Sequence, residues 1–125
     1  MPLPLILDEN QRSGGLWRAI QTHNVRFAHE ALDVVRVGDH GCPTNGTLDP
    51  ELLNWAISKN KVIVTEDVNT LISFHNELIV KGRATPGLFV IRAGFTIPQI
   101  VSELVIYSHL LKPEESASRC WYLPE

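Results

Sequence analysis

Apolar residues in this chain fall into short continuous runs, separated by longer stretches in which they recur every three or four positions. Leu5, Ile6 and Leu7 make the first run, which stops at Asp8, Glu9 and Asn10. A run of that length bounded by polar residues predicts a buried strand. The same form returns at 33–37 (DVVRV), Val62–Thr65, Leu88–Ile91 and Cys120–Leu123. The stretches between carry helical spacing. Leu16, Trp17 and Ile20 mark one helix over 15–24, followed by 25–32, which has no clean period and reads as helix end or loop. Leu52, Leu53, Ala56 and Ile57 mark a second helix, and Leu71, Phe74, Leu78 and Ile79 a third that runs up to Gly82. Ile100, Val101, Leu104, Val105, Ser108 and Leu111 line the fourth, which Pro113 is expected to stop.

Local chemistry sharpens these boundaries. Asp49-Pro50 reads as a cap followed by proline at the first helical position, where no N–H is missed. Asn69 or Thr70 is the candidate cap of the third helix, and Thr96 with Gln99 forms a capping box for the fourth. The residues 38–48 hold Gly38, Gly41, Pro43 and Gly46, a loop too long for a plain connection. Strand and helix alternate throughout, which predicts an α/β fold. The expected architecture is a single three-layer α/β/α domain with a mostly parallel, roughly five-stranded sheet and right-handed crossovers.

Composition narrows the class without changing that picture. A chain of 125 residues suits one domain over its whole length, and burial of roughly two thirds of the unfolded surface needs no covalent staple. With 44% hydrophobic and 20% charged residues, neither disorder nor a fibrous repeat fits. No apolar run approaches the roughly 20 residues of a membrane span, and the first ten residues lack the basic start of a signal peptide, so a cytoplasmic protein is expected. Cys42 and Cys120 have neither C-x-x-C nor zinc spacing and are expected to be free thiols.

Charge matters through its distribution, because the formal net charge is only -3. In a parallel sheet every strand ends on one edge, and that edge would receive Asp8, Glu9, Asp39, Asp49, Glu51, Glu66 and Asp67, seven of the fourteen acidic residues. Lys59, Lys61, Lys81 and Lys112 fall towards the opposite edge. Ligands bind beyond the carboxyl ends of strands in such sheets. Crowded carboxylates repel one another unless a cation lies between them, which points to a divalent metal site. Asp8 and Asp67 end the first and third strands and are the leading ligands. For Asp49 a cap and a ligand explain the residue equally well. Glu9 and Glu66 alternate with their neighbours and come second, Glu51 suits a helix start by its dipole, and Asp39 is expected to brace the glycine loop. Five histidines show no paired spacing. His40 and His75 alone can reach the acidic edge, with an ordinary surface position the plainer reading. Arg12, Arg36 and Arg92 lie near the edge and suit a phosphate.

Five segments taken together, LILDEN, DVVRVGDHG, TLDPELLNWA, VIVTEDVNT and the closing WYLP, resemble the PIN-like family of the Mut7-C type, the DUF5615 group. The resemblance runs in order over nearly the whole chain. It implies a PIN-type α/β domain with Mg²⁺- or Mn²⁺-dependent ribonuclease activity, the toxin component of a type II toxin–antitoxin pair. RNA would be the substrate and a cognate antitoxin the partner, with a homodimer allowed and no membrane contact. Carried over by position, Asp8, Asp49 and Asp67 are the catalytic, metal-holding acids. Asn10 and Thr65 accompany them, with Glu9, Asp39, Glu66 and Asn69 in support. Many members continue the third motif to a second Asp and a Phe, where this chain has Asn69 and Thr70. That departure removes a possible ligand, and three or four carboxylates suit one tightly bound ion better than a pair about 4 Å apart. Hard oxygen ligands suit Mg²⁺ or Mn²⁺, which would activate water for attack on phosphorus. Two other classes compete. A phospho-receiver domain would use Asp67 as acceptor but wants a late Lys, where this chain has Arg92-Ala93-Gly94. A non-catalytic PIN-like partner-binding module is the other, and metal affinity separates it from an enzyme.

Overall fold

Strand order governs everything that follows. In the computed structural model, which describes residues 2–8, 15–66 and 70–124, the strands are β1 (Pro4–Leu7), β2 (Asp33–Arg36), β3 (Val62–Thr65), β4 (Leu88–Ile91) and β5 (Cys120–Leu123). They form one parallel sheet in the order β2-β1-β3-β4-β5. Chain direction across the sheet therefore reverses between β1 and β3, the crevice at which open α/β folds take ligands. Parallel strands need crossovers, and the helices supply them: α1 (Gly15–Arg26), α2 (Asp49–Lys59), α3 (Thr70–Val80), α4 (Ile97–Leu110) and the short α5 (Pro113–Ser116).

Side chains of a strand alternate between faces, and the two buried clusters follow that alternation. Leu5, Leu7, Val62, Val64, Phe89 and Ile91 pack with α1 and α4 through Leu16, Ile20, Ile100, Val101 and Leu104. Ile6, Ile63, Leu88 and Val90 pack on the other face with α2 and α3 through Leu52, Leu53, Ala56 and Leu71. Both faces are covered, which is why the central strands read as unbroken apolar runs rather than alternating ones. The expected three-layer α/β/α architecture is the one observed. Among the described residues no helix is long and apolar enough to cross a membrane.

Several boundaries differ from expectation for local reasons. The first helix continues to Arg26, and a 3-10 turn at Ala28–Glu30 follows it, so the aperiodic stretch is a helix end plus one tight turn. There His23 Nε2 lies 2.9 Å from the Glu30 carbonyl, and Asn24 both accepts from and donates to Leu32. Asp49 is already helical. The N-cap of α2 is Leu48, with no side-chain cap bond, and Pro50 stands one position further in than expected. The Leu52 N–H already bonds to the Leu48 carbonyl, so Asp49 stands inside the helix and does not fill the capping position, which overturns the cap reading of Asp49. The capping box of α4 is as expected: the Gln99 N–H donates to Thr96 Oγ1 at 3.3 Å, and the Thr96 N–H donates to Gln99 Oε1 at 2.8 Å. Pro113 does not simply stop that helix. α4 ends at Leu110, and Pro113 opens α5, where its missing N–H costs nothing.

Candidate functional site

Asp8 sits where the strand order makes a ligand site. It directly follows β1, and its N–H donates to the Val64 carbonyl at 3.1 Å, while on the other side the Val37 N–H donates to the Leu7 carbonyl at 3.0 Å. The end of β1 is thus clamped between its neighbours. Asp8 is only 6% exposed, and the hydroxyl of Thr65, fully buried at the end of β3, donates to Asp8 Oδ2. Two residues 57 positions apart meet here because β1 and β3 pair in register, Leu5 with Val62 and Leu7 with Val64. A carboxylate out of water is tolerated when donors or a cation hold it, and Thr65 is one such donor.

Alternation fixes which way this corner faces. Ile6 and Ile63 belong to the cluster under α2 and α3, so Asp8 and Thr65, two residues further along each strand, lie on that same face. Asp49 stands in the first turn of α2, the helix that covers this face, half-buried and with no side-chain hydrogen bond among the described residues. α3 begins on this side too, at Thr70. Glu66 falls one step out of phase and is exposed. Glu9, Asn10, Asp67 and Asn69 lie outside the described residues. Among the residues described, no three carboxylate, imidazole or thiol groups gather closely enough to hold a metal ion by themselves.

Asp39 braces the glycine loop, as expected, and does so through Arg36. The Arg36 N–H donates to Asp39 Oδ2 at 2.8 Å, Arg36 Nε donates to Oδ1 at 3.1 Å, and Nη2 completes the ion pair at 3.0 Å. The loop beyond is a chain of turns, with Gly38 N–H donating to Pro43 O and Cys42 N–H to Asp39 O. Gly38 at φ 96° and Gly46 at φ 88° hold conformations that favour glycine. Arg36 does more than brace, since its guanidinium lies 4.2 Å above the Trp17 ring. Sequence alone singled out Arg36 but not Trp17, which has ordinary core spacing on α1.

Histidine is the clear correction. His75 is neither on the acidic edge nor on the surface. It is 1% exposed, at the other end of the strands, with Nε2 2.6 Å from Thr85 Oγ1 and Nδ1 3.6 Å from Cys120 Sγ. Burial holds its imidazole below the ordinary range and pushes the Cys120 thiol up. Thr85 also accepts from the Gly87 N–H at 3.2 Å, and its own N–H donates to Ser118 Oγ at 3.1 Å. These contacts tie α3 to the starts of β4 and β5. Both cysteines are free, as their spacing suggested.

A cleft of about 450 Å³, lined by Leu3, Pro4, Ile57, Val62, Pro86 and Pro113, also lies at the strand starts. It has no carboxylate from the acidic edge and is remote from the switch point, so the corner at Asp8 is the stronger candidate. Compared with known proteins, the chain matches no family model, and no curated protein or solved structure matches it significantly.

Proposed function

We propose that the protein is a metal-dependent ribonuclease that hydrolyses phosphodiester bonds at the crevice between β1 and β3. One observation carries the reading: Asp8 is buried at the strand-order switch point, accepts a hydrogen bond from Thr65, and shares its sheet face with α2, which starts at Asp49. Asp8 and Asp49, with Asp67, would hold the ion, and Thr65 would fix the Asp8 carboxylate. This donor set is all hard oxygen, the chemistry Mg²⁺ and Mn²⁺ take, and such ions keep open positions for phosphate oxygens. When bound, a divalent ion there would lower the pKa of water and offset charge on the leaving oxygen. The family resemblance adds the role of toxin in a toxin–antitoxin pair, with an antitoxin as partner. The test is cleavage of mixed RNAs by purified protein with Mn²⁺, Mg²⁺ or EDTA. Cleavage that requires metal and disappears in Asp67→Asn supports the reading, and no cleavage under any condition overturns it.

Strand order favours a second reading. The order 2-1-3-4-5 is also that of phospho-receiver folds, with their ligand at the same switch point. Incubation with acetyl phosphate and Mg²⁺ separates the two, because only a receiver gains a phosphoryl group on Asp67. Arg92 following β4, and Pro124 following β5, leave that chemistry without a strand-end lysine.

A further inference from the structure

Two arginine–aromatic pairs stand on the strand-end edge, one on each side of Asp8. Arg36 ends β2 and stacks on Trp17 of α1 at 4.2 Å. Arg92 directly follows β4, and its guanidinium carbon lies 6.0 Å from the centre of the Phe95 ring, at the outer limit of a cation–π contact. Strand order puts β1 and β3 between them, so Asp8 and Thr65 lie in the middle. Three strand spacings separate the pairs, about 14 Å. Even at the 3.4 Å per residue of a stacked strand, that distance spans only about four nucleotides.

By alternation Arg92, two residues beyond Val90, falls on the flank covered by α2 and α3, whereas the Arg36–Trp17 pair and Phe95 border α1 and α4. The starts of these two helices are in close contact: a side chain at Gly15 would come within 2.9 Å of Ile97 Cδ1. Asp8 and Thr65 also face the α2 and α3 flank. A chain laid across the strand ends would therefore meet the Arg36–Trp17 pair first, then the Asp8 corner, then Arg92 with Phe95. Neither guanidinium is used up. Arg36 binds Asp39 through Nε and Nη2, leaving Nη1 without a partner among the described residues. Arg92 is exposed, and among the described residues its guanidinium donates through Nη1 alone, to the Pro124 carbonyl at 3.2 Å.

We infer that Arg36 with Trp17, and Arg92 with Phe95, are the nucleotide-binding contacts on either side of the Asp8 corner, and that their ligand is a single-stranded nucleic acid. This rests on the nuclease reading for the meaning of the corner. The preference for a single strand follows from chemistry: an arginine plane or aromatic face takes a base by stacking, and a duplex has no base face to offer in mid-strand. A net charge of -3 makes these local cations the more important, since the surface as a whole does not attract a polyanion.

Fluorescence anisotropy with a labelled mixed-sequence ten-nucleotide RNA, alone or annealed to its complement, tests the inference. Measured in EDTA, binding is read without metal-dependent turnover. Wild type should prefer the single strand, and Arg92→Gln and Arg36→Lys should each weaken its binding on the order of tenfold. Arg36→Lys keeps the charge but loses the planar stack. Arg92→Gln also removes one phosphate contact and should reduce the salt slope by about 0.7. Arg92 is a surface residue, so its variant keeps the test sound if Arg36→Lys lowers the melting temperature. Equal affinity for single strand and duplex, absent binding, or wild-type affinity in Arg92→Gln would overturn the inference. A protein that binds in this way and never cleaves RNA would sink the nuclease reading and leave these contacts standing. Cleavage with unaltered binding in both variants would do the reverse.

Discussion

Replacing Thr65 by Val isolates the interaction on which the site is built. Thr65 is fully buried at the end of β3, and Val has almost its shape, so no cavity opens and the strand loses no β-branched residue. What disappears is the hydroxyl that donates to Asp8 Oδ2. A hydrogen bond to a charged group is worth about 1.5–3 kcal/mol, and a neutral one about 0.5–1.5 kcal/mol. Thr65→Val should therefore destabilise the protein by about 2 kcal/mol. In an Asp8→Asn background the amide oxygen still accepts but carries no charge, and the same replacement should cost about 1 kcal/mol. The coupling of about 1 kcal/mol is the part due to the carboxylate being ionised. Thr65→Ser keeps the hydroxyl and loses one methyl, at about 1 kcal/mol. Urea unfolding of the four proteins of the cycle, plus Thr65→Ser, reads these differences directly. If Thr65→Val is as stable as Thr65→Ser or more so, Thr65 does not hold Asp8, and the corner is ordinary packing.

Other outcomes follow from particular contacts. Asp49→Ala should change stability by less than 1 kcal/mol, since only a dipole contribution is lost and no cap, yet should lower metal-dependent cleavage on the order of tenfold or more, as paired melts and assays would show. Gly87 holds φ 104°, and a side chain there would collide with the Ser116 carbonyl; Gly87→Ala should cost about 3 kcal/mol or more, seen as a large loss of urea midpoint. Burial holds the His75 imidazole below its ordinary range, while the unfolded chain binds a proton near pH 6.5, so the unfolded state carries more protons in acid and stability should fall as pH drops below that value. His75→Gln should flatten the fall below about pH 6.5 in unfolding titrations, even though its absolute stability is lower.

Sequence and structure agree most closely where a single local rule decides the outcome. Leu88–Ile91 and Val62–Thr65 are found at their expected bounds because a four-residue apolar run between turn residues has little alternative. Thr96 and Gln99 announce their helix start for the same reason. Asp49 was harder: aspartate before proline suits both a cap and a first helical residue, and the backbone angle of Leu48 decides between them. Spacing misplaces His75, which is on neither the acidic edge nor the surface. On α3 it occupies a position where an apolar residue would serve, and only the arrival of Thr85 and Cys120 from later in the chain gives its ring nitrogens partners. The pairing of Asp8 with Thr65 was half legible: two strands ending in polar residues suggested a common edge, while their adjacency depends on the strand order. Trp17 and Phe95 gave no signal, since an aromatic on a helix or before one reads as core until an arginine is seen lying on it.

Whether the corner between β1 and β3 takes a divalent ion is the question on which the functional account rests, and Mn²⁺ binding followed by electron paramagnetic resonance answers it without reference to turnover. Free Mn²⁺ gives a sharp six-line signal that is lost on binding, so titration counts sites and gives their affinity. Wild type should bind one Mn²⁺ per chain, Mg²⁺ should displace it, and Asp8→Asn, which keeps an acceptor for Thr65, should weaken it on the order of tenfold or more. Wild type that leaves Mn²⁺ free at millimolar concentration, or Asp8→Asn that binds it equally well, would contradict the account.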